Sequence, residues 1–447
     1  MTIQTKDSNL KGDALDTFEN LFNRHENCFL LETLDDKYQP HTSGQSYIGI
    51  DPSNVFKAEK GTLYKDGAEL SSAEPFQSLR NVLEVDTNLL PGYWGGLVGF
   101  FGHESIQYIE KSISFSYERN FPDFMYGLYT DGLVFKPGKV ATYFYQGDDR
   151  LNYYQSIQEP SPEELSIRYV KSYKDTAAYN QMVEKAHADI LDGRVFQVVL
   201  ANKYEYEYSG NILKLYRELR SINPSPFMFC IKFGNIITIG ASPELLVHTN
   251  SEKKIYLEAL AGTIGRGTTE AKDKQLANQL LSDEKELAEH SMLVDLARND
   301  AGRVSKIGSV EIADLMFIKK LSHVQHIASM ISGILDDQYT AFDALTTSFS
   351  AGTLSGAPKI EAIKMISESE ASERGPYGGT IGYFGFNGES VQAVNIRSLS
   401  GIDNRLLVHS GSGIVYDSTP DREADEISVK KAAMDKAMKP FLQETES

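Results

Sequence analysis

The sequence contains very little cysteine: Cys28 and Cys230 are the only two in 447 residues. Two isolated cysteines provide neither the spacing of a zinc site nor that of a redox pair. Such sparse usage is typical of proteins kept in a reducing compartment. We therefore expect an intracellular, cytoplasmic protein.

Long apolar runs and an excess of basic residues are also missing. No run approaches the roughly 20 apolar residues of a membrane span, and MTIQTKDSNLKGDALDTF at the start lacks the apolar core of a signal peptide. With 44 Lys and Arg against 62 Asp and Glu, the net charge is -18, which argues against nucleic acid as a partner. An acidic surface would also repel an anionic substrate, so such a substrate would need locally placed Arg, Lys or metal.

The remaining composition is that of an ordinary globular protein, with 41% hydrophobic and 24% charged residues. Short β-type runs separated by turn residues fill the chain to about residue 157. The segment QEPSPEELS at 158–166 is the best linker candidate, because it is rich in Pro, Ser and Glu. We therefore expect an N-terminal region over 1–157 that packs on a second domain over 167–441.

A helix is predicted between Thr176 and Gly193. Its apolar residues follow helical spacing: Tyr179, Met182, Val183, Ala186 and Ile190. The run VFQVVLANKYEYEY that follows is predicted as a strand, with further strands in FMFCIKF, NIITIGA and KIYLEALAG. Strands combined with amphipathic helices indicate an α+β fold in which helices cover sheets.

Two pairs of glutamates stand three residues apart, Glu286 with Glu289 and Glu423 with Glu426. At this spacing on a helix the two side chains share a face, so each pair presents a small group of carboxylates. Convergent carboxylates suit a hard divalent cation such as Mg²⁺. Most such pairs are simply solvated helix faces, and that alternative stays open at this point.

The surroundings of the two pairs predict helix starts. Thr419 is a plausible N-cap, and Pro420 stands at the first helical position, where proline is tolerated. Asp283 and Glu286 resemble a capping box, which offers a purely structural explanation for Glu286.

Between the pairs lies FSAGTLSGAPK (349–359), whose glycines would let backbone amides approach an anion. It is not a Walker loop, because Ala-Pro-Lys replaces the required Gly-Lys-Ser/Thr. Other motifs accompany it: LAGT (260–263), MLVDLARNDAGRVS (292–305), SHVQHI (322–327), RGPYGGTIGYF (374–384), NIRS (395–398) and GSGIV (411–415).

With these motifs in this order, the chain resembles the chorismate-utilising enzymes. The resemblance is dense over 175–440 and thinner at LLET (30–33), PGYWGGLVGF (91–100) and NPSPFMF (223–229). It implies large mixed or antiparallel β-sheets in a sandwich covered by outer helices, with 167–441 as the catalytic domain. It also implies chorismate, which carries two carboxylates and a C4 hydroxyl, as the substrate.

The resemblance further implies Mg²⁺ as the cofactor, which in the family holds and polarises the ring carboxylate. Glu289 and Glu426 match the family's direct ligands, and Glu286 and Glu423 match residues that act directly or through water.

The family's substrate contacts match further residues here. Arg397 would bind the enolpyruvyl carboxylate, since a guanidinium binds a carboxylate with two hydrogen bonds. The other matching residues are Gly262, Thr263, Tyr377, Gly411, Ser412 and Gly413. The glycines also suit ordinary turns. Lys430 would either add a positive contact or form a surface salt bridge.

Two residues match the family's acid–base groups. Glu244 corresponds to the general acid that protonates the C4 hydroxyl, and neighbouring carboxylates would raise its pKa as this task requires. His326 corresponds to a histidine linked to the loss of pyruvate.

Two positions favour the anthranilate synthase branch of the family. Gln197 stands where isochorismate and salicylate synthases carry the lysine base that activates water, and glutamine cannot deprotonate water. Lys203 shares the strand face but lies too far along the strand to replace that lysine. Ala261 stands where aminodeoxychorismate synthases typically carry a nucleophilic lysine. Ammonia is therefore the expected nucleophile. Gln197 and Thr263 are expected to take part in catalysis together with the acid–base residues Glu244 and His326.

A tryptophan inhibitor site is implied by two further segments. Pro226, Phe227 and Met228 match the family's feedback segment, and Glu32 and Thr33 match its Leu-Leu-Glu-Ser, with Thr replacing Ser. The alternative is a plain core strand with Phe227 and Met228 buried.

Neither cysteine lies in the Gly-Cys-Gly setting of a glutaminase nucleophile. We therefore expect a hetero-oligomer in which a separate glutamine amidotransferase subunit supplies ammonia. The rival functions are that of an aminodeoxychorismate synthase and that of a catalytically inactive tryptophan-binding homologue.

Overall fold

A computed structural model describes residues 2–33, 44–72, 74–156, 163–321 and 324–443. Within these ranges, no helix is both long enough and apolar enough to cross a membrane. The strands and helices below are numbered in chain order.

The first sheet has twelve strands among the described residues, and neighbouring strands run antiparallel. In spatial order the strands of its main path are β1 (Gln4–Asp7), β10 (Thr142–Tyr145), β9 (Asp131–Phe135), β3 (Ser46–Ile50), β2 (Asn27–Thr33), β13 (Phe227–Phe233), β14 (Ile236–Ser242), β22 (Ser398–Ile402), β23 (Arg405–Ile414), β12 (Gln197–Ser209) and β11 (Ser166–Ser172). The short strand β19 (Gly356–Ala357) also pairs with β12.

The second sheet has eleven strands within the described ranges and is likewise antiparallel between neighbours. Its order is β17 (Glu311–Lys320), β18 (Val324–Ile334), β16 (Lys254–Gly265), β15 (Leu245–Thr249), β21 (Ser390–Val394), β20 (Thr380–Gly385), β7 (Gly96–Phe101), β8 (Phe124–Tyr129), β4 (Asn54–Glu59), β5 (Thr62–Lys65) and β6 (Ala68–Ser71).

Helices lie against both sheets. They are α1 (Ala14–Phe22), α2 (Pro75–Arg80), α3 (Leu151–Gln155), α4 (Thr176–Leu191), α5 (Leu213–Ile222), α6 (Glu270–Leu280), α7 (Glu284–Gly302), α8 (Ala341–Ser348), α9 (Lys359–Glu370) and α10 (Pro420–Met438), with 3₁₀ turns at His103–Tyr108 and Lys439–Phe441.

The hydrophobic core has a layered arrangement. An aromatic-rich cluster fills the space between the sheets and includes Phe29 and Phe229 of the first sheet and Tyr129 and Tyr383 of the second. Other clusters bury α1, α5 and α10 on the first sheet, and α7 and α8 on the second. Burial of this apolar area stabilises the sandwich. The predicted fold, antiparallel sheets in a sandwich covered by outer helices, is confirmed.

Most local predictions agree with the structure. In α4 all five residues of the predicted apolar stripe are buried, and Gly193 follows the helix with φ +80. The predicted strand near residue 200 is β12. Thr419 is the N-cap of α10 and is followed by Pro420, but its hydroxyl forms no capping hydrogen bond.

Strands from both sides of residues 158–166 enter both sheets. Therefore the regions 1–157 and 167–441 share their sheets and their inter-sheet core. Residues 157–162, in the predicted linker, lie outside the described residues, and the domain boundary there stays a prediction.

Candidate active site

Four glutamates of α7 and α10 lie within electrostatic reach of one another. Burial is the largest cause that raises the pKa values of Glu286, Glu289 and Glu423. The charge of Glu426 raises all three pKa values further, and Glu286 and Glu423 also raise the pKa of Glu289. The structure thus brings the two predicted pairs together as one acidic surface, called here the glutamate face. Carboxylates that repel one another would be stabilised by a cation.

The glutamate face is only partly satisfied by the protein. Glu423 is 7% exposed, and hydrogen bonds from Ser418 and Ser412 favour its charged form, while its Oε2 has no hydrogen-bond partner among the described residues. Glu426 pairs with Lys430 at 2.6 Å, and Glu289 lies 3.8 Å from Lys285. Among the described side chains, no three acidic, histidine or cysteine groups are gathered closely enough to hold one ion. Mg²⁺ usually takes one or two carboxylates with waters and substrate oxygens, so these carboxylates fit it without a closed cage.

The capping alternative for Glu286 is not realised. Asp283 does cap α7, since its Oδ1 accepts from the backbone N–H of Lys285 and of Glu286. However, the Asp283 N–H donates to the Leu280 carbonyl. The Glu286 carboxylate instead extends towards β16, where a Cβ built on Gly262 would lie 3.0 Å from its Oε2. Glycine at 262 therefore makes room for this carboxylate.

Gly262, Thr263 and His326 form a compact group where β16 bulges against β18. Gly262 has φ +63, a conformation that glycine adopts without strain. His326 Nδ1 lies 3.1 Å from the Gly262 carbonyl and 3.1 Å from Thr263 Oγ1. Because a carbonyl only accepts, Nδ1 carries the proton and Nε2 is the basic nitrogen. Burial lowers the pKa of His326 to about 4, so the ring is neutral near pH 7.

Glu244 lies between β14 and β15 and is 5% exposed. Burial raises its pKa to about 7, with a smaller contribution from Glu258. The Thr353 hydroxyl donates to its Oε1 at 2.5 Å, and this bond favours the charged form. The raised pKa agrees with the prediction, but its main cause is burial and only secondarily a neighbouring carboxylate.

Arg397 faces Glu244 and the glutamate face from the start of β22. It has φ +52 and is partly buried. Burial lowers the pKa of its guanidinium, while Tyr377, Glu244 and Glu426 favour the charged form. Within the described ranges, the guanidinium forms no hydrogen bond or ion pair with the protein. A guanidinium without a protein partner has its hydrogen-bond donors available to an anion.

Tyr377 lies on the same side of the site as Arg397. Its ring is buried and stacks on His409, with ring centroids 4.9 Å apart. A Cβ built on Gly411 of β23 would lie 3.2 Å from the Tyr377 hydroxyl, so glycine at 411 leaves room for it. Lys430 donates from Nζ to the Gly411 carbonyl at 3.0 Å, in addition to its pair with Glu426.

The predicted substrate-binding residues of β23 lie on opposite faces of the strand. A Cβ on Gly413 would lie 2.8 Å from the Gln197 amide nitrogen, so Gly413, like Gly411, faces the site. Ser412 points the other way, because side chains alternate along a strand. Its hydroxyl lies 2.9 Å from Tyr179 on α4. The Ser412 hydroxyl also hydrogen-bonds the Glu423 carboxylate and favours its charged form, so Ser412 lies beside the glutamate face and α4 and not beside Tyr377.

The residues that distinguish the branches have clear positions. Gln197 begins β12 and has its amide over Gly413, inside the site. Ala261 precedes the β16 bulge. Lys203 is buried farther along β12, where its Nζ lies 3.3 Å from the Glu373 carbonyl and 4.2 Å from the Tyr173 ring centroid. Lys203 is thus committed to other contacts.

The predicted inhibitor residues form a separate group where β2 pairs with β13. Thr33 pairs with Phe227, and Glu32 pairs with Met228. Glu32 is buried, as are Phe227 and Met228, and Pro226 precedes β13. The two segments are therefore adjacent, as the resemblance implies.

Two residues of the segment 349–359 were missed as functional candidates. Thr353 is the hydroxyl donor to Glu244. Lys359 pairs with Asp300 of α7 at 3.0 Å, which ties the segment to the helix that carries Glu286 and Glu289. The sequence signal for Thr353 is its hydroxyl between the glycines of this segment.

The fold is a sandwich of antiparallel sheets, and its candidate site combines an unpaired arginine, a buried acid and a face of carboxylates. The model of the chorismate binding enzyme family matches residues 26–436. The chain belongs to this family.

Individual relatives show which members of the family this chain resembles. Anthranilate synthase component 1 from Methanothermobacter marburgensis is 39% identical over 434 residues, covering 95% of this chain and 93% of the relative. The protein of the same name from Leptospira biflexa is 38% identical over 424 residues, covering 93% and 91%.

The fold is also similar to those of solved structures. Anthranilate synthase component I from Streptococcus pneumoniae TIGR4 superposes with a TM-score of 0.77 at 33% identity, covering 88% of this chain and 92% of that one. The menaquinone-specific isochorismate synthase of Escherichia coli superposes with a TM-score of 0.76 at 18% identity, covering 98% and 95%. This second similarity shows the fold alone.

Proposed function

We propose that the chain is the synthase component of an anthranilate synthase, which converts chorismate and ammonia into anthranilate, pyruvate and water. The observation that carries this proposal is the pair Gln197 and Ala261. Neither residue can act as a base or as a nucleophile. The Gln197 amide lies against Gly413 of β23, and Arg397 lies within electrostatic reach of Glu244. An external nucleophile such as ammonia suits this arrangement.

The first step is amination at C2 with loss of the C4 hydroxyl. Arg397 binds the enolpyruvyl carboxylate, and Tyr377 and Gly411 form the adjoining wall. Glu244 holds its proton at pH values below about 7 and donates it to the C4 oxygen, which leaves as water. Ammonia attacks C2 as both ring double bonds shift by one position towards C4, and the bound nitrogen loses a proton afterwards.

The second step eliminates pyruvate and makes the ring aromatic. Neutral His326 is suited to remove the ring proton through Nε2, because Nδ1 is held by the Gly262 carbonyl. The electron pair of the broken C–H bond enters the ring, the bond between the ring and the enolpyruvyl oxygen breaks, and the released enolpyruvate takes up a proton to become pyruvate. Thr263 Oγ1, 3.1 Å from Nδ1, helps to fix the imidazole.

Mg²⁺ is the proposed cofactor. Glu289 and Glu426 would hold it directly, and Glu286 and Glu423 directly or through water. Bound there, it would polarise the ring carboxylate of chorismate as a Lewis acid. The raised carboxylate pKa values and the unpartnered Glu423 Oε2 support this assignment.

Ammonia is proposed to come from a separate glutamine amidotransferase subunit. A glutaminase nucleophile has to be an accessible thiolate. Here both thiols are buried: burial raises the pKa of Cys28 to about 12 and that of Cys230 well above its usual value. Free ammonium would serve in the absence of the partner.

Feedback inhibition by tryptophan is proposed at the β2–β13 group. Glu32, Thr33, Pro226, Phe227 and Met228 are adjacent there. They offer an acidic group for an ammonium and apolar surface for an indole ring.

One assay tests the activity. The purified chain is incubated with chorismate, Mg²⁺ and ammonium, and the products are identified by chromatography and fluorescence. Anthranilate with equimolar pyruvate is expected. Accumulation of 4-amino-4-deoxychorismate without pyruvate would instead identify an aminodeoxychorismate synthase. Absence of turnover in a folded chain that still binds tryptophan would identify an inactive regulatory homologue.

A further inference from the structure

Arg374 carries a charge in the protein interior, with only 1% of its surface exposed. Its guanidinium binds Glu370 with two hydrogen bonds, one of them from Nε to Oε2 at 2.8 Å. It also donates to the Leu354 carbonyl at 2.7 Å and to the Val199 carbonyl at 2.9 Å. Apolar residues of similar volume often stabilise a fold as well as a buried ion pair does. The pair is therefore better explained by what it holds in place.

The Arg374–Glu370 pair occupies a gap in the first sheet. On one edge of β12, the strand β19 pairs with Gln197 and Val198, and β11 pairs with residues from Tyr204 onwards. Between them, no described strand covers the backbone of residues 199–203. Glu370 Oε1 accepts from the Ala201 N–H at 2.8 Å, and Arg374 donates to the Val199 carbonyl. These two side chains provide hydrogen bonds that a neighbouring strand would otherwise form.

The backbone held in this way belongs to a wall of the candidate active site. Ala201 is the register partner of Gly411 on β23, and Gly411 leaves room for the Tyr377 hydroxyl. Arg374 also lies over the Tyr377 ring, with Cζ 5.8 Å from the ring centroid. The position of Tyr377 is thus coupled to the pair both through the strands and by direct contact.

The same guanidinium fixes the segment that carries Thr353. Arg374 Nη1 holds the carbonyl of Leu354, and the preceding residue, Thr353, donates its hydroxyl to Glu244. A single side chain therefore holds the donor to Glu244 and contacts the tyrosine beside Arg397.

We propose that Arg374 and Glu370 are a positioning pair for the reaction, which sets the Tyr377 wall and the Thr353 hydroxyl at the distances that Glu244 and the substrate require. This inference rests on the proposed function. Neither residue touches the reacting atoms. Positioning of this kind matters because a misplacement of about 1 Å can lower a rate roughly 100-fold.

The test compares Arg374→Lys and Glu370→Gln with a matched control, Arg150→Lys. Arg150 and Asp131 form a similar pair, with Nε 2.8 Å from Oδ2 and 2% of the Asp131 side chain exposed, but they connect α3 to β9. For each protein, kcat and KM for chorismate are measured with ammonium across a range of pH, together with the melting temperature.

We expect kcat to fall roughly 10-fold or more in both test variants, with little change in KM, and to stay near wild type in the control. The fall in activity at alkaline pH should also move to higher pH, because Glu244 loses a hydrogen bond that favours its charged form. The charged and titratable groups facing Glu244, which are Glu258, Lys319, Arg397 and Tyr377, are unchanged in these variants. A purely structural role would lower the melting temperature without moving this limb.

Wild-type kcat and an unmoved alkaline limb in a folded variant would overturn the inference. So would equal losses in Arg374→Lys and Arg150→Lys that follow their melting temperatures. If Arg374→Lys does not fold, Glu370→Gln decides, because glutamine retains an oxygen for the Ala201 N–H. A wild-type chain that forms no anthranilate would refute the proposed function and this inference with it, whereas unaltered variants of an active enzyme refute the inference alone.

Discussion

The candidate active site and the β2–β13 group both bury charge, but they treat it in opposite ways. At the β2–β13 group, Glu32 accepts hydrogen bonds from the Tyr216 hydroxyl at 2.5 Å, Arg220 at 2.9 Å and Ser46 at 3.2 Å. In the candidate active site, Arg397 has no protein partner among the described residues, and Glu423 Oε2 has none either.

The β2–β13 group is therefore a completed hydrogen-bond network, whereas the network of the candidate active site is incomplete. A buried charge without a partner costs several kcal/mol of folding free energy, so unpaired groups are retained where a ligand supplies the partner. Arg397 could accept an anion, and the glutamate face could accept a cation. The proposed substrate, with its two carboxylates, and the proposed Mg²⁺ would provide both partners. Glu32, by contrast, can bind a ligand only by sharing or exchanging partners that it already has.

The largest effect is expected from removing a charge of the glutamate face. Glu426→Gln should lower activity more than roughly 100-fold at limiting Mg²⁺, because it removes a proposed metal ligand worth several kcal/mol in the transition state. The measurement is anthranilate formation as Mg²⁺ is increased.

The matched control is Asp425→Asn, one residue away on α10 and exposed. It removes the same charge from the protein and should leave the activity unchanged. Near-normal turnover of Glu426→Gln at limiting Mg²⁺, or an equal loss in the control, would remove the distinction between this face and an ordinary acidic helix surface.

A smaller effect is expected from replacing the unpaired arginine. Arg397→Lys keeps the positive charge but loses the planar fork that binds a carboxylate with two hydrogen bonds. We expect a loss of about 2 kcal/mol of binding, or roughly 30-fold in KM for chorismate. Steady-state kinetics at saturating ammonium measures it.

Arg405→Lys is the control for Arg397→Lys. Arg405 begins β23 and already pairs with Glu205 at 2.8 Å, so its replacement should leave KM unchanged. An unchanged KM in Arg397→Lys would mean that the unpaired guanidinium does not bind the substrate.

The pH dependence tests the buried acid of the same site. The pKa of Glu244 is raised to about 7, mainly by burial, and a general acid acts while protonated. Activity should therefore fall as the pH rises through about 7, and Glu244→Gln should remove that limb along with most of the activity. Glu258, Lys319, Arg397 and Tyr377 also face this carboxyl.

Glu244 changes the stability of the fold with pH in the opposite direction to an acid whose pKa is lowered by a salt bridge. Between its usual pKa of 4.5 and about 7, the folded state binds a proton that the unfolded state has released. Stability from this group is therefore present at low pH and is lost as the pH rises through that window. A melting temperature that rises over this window in wild type relative to Glu244→Gln would contradict the assigned shift.

Features that depend on neighbouring residues of the chain were predictable from the sequence. The stripe of α4 and the N-cap position of α10 follow from spacing and capping chemistry within one helix. The carboxylate pairs were predictable as pairs for the same reason. Their meeting was not, because it depends on how α7 and α10 pack on the sheets; only the family resemblance implied it.

Features set by sheet register and burial required the structure. Ser412 points towards α4 and Glu423, whereas Gly411 and Gly413 face Tyr377 and Gln197, and which residues take which face depends on the pairing of β23 with β12. Thr353 reaches Glu244 across 109 residues. The cause of the Glu244 pKa was predicted as charge repulsion, but depth of burial dominates, and burial cannot be read from a local motif.

The smallest effect on catalysis is expected at the completed network. Glu32→Gln removes the charge that would attract the ammonium of tryptophan, yet Arg220 stays paired with Asp13 at 2.6 Å and is not left as an isolated buried charge. We therefore expect a loss of only about 1 kcal/mol in the free energy of unfolding, wild-type kcat without inhibitor, and strongly weakened inhibition by tryptophan. Asp13→Asn, which disturbs the same arginine from outside the β2–β13 pairing, should keep the inhibition. Retained inhibition in Glu32→Gln would show that the network is a structural element of the sheet. The comparison with the candidate active site would then be between a structural core and a binding site, and not between two binding sites.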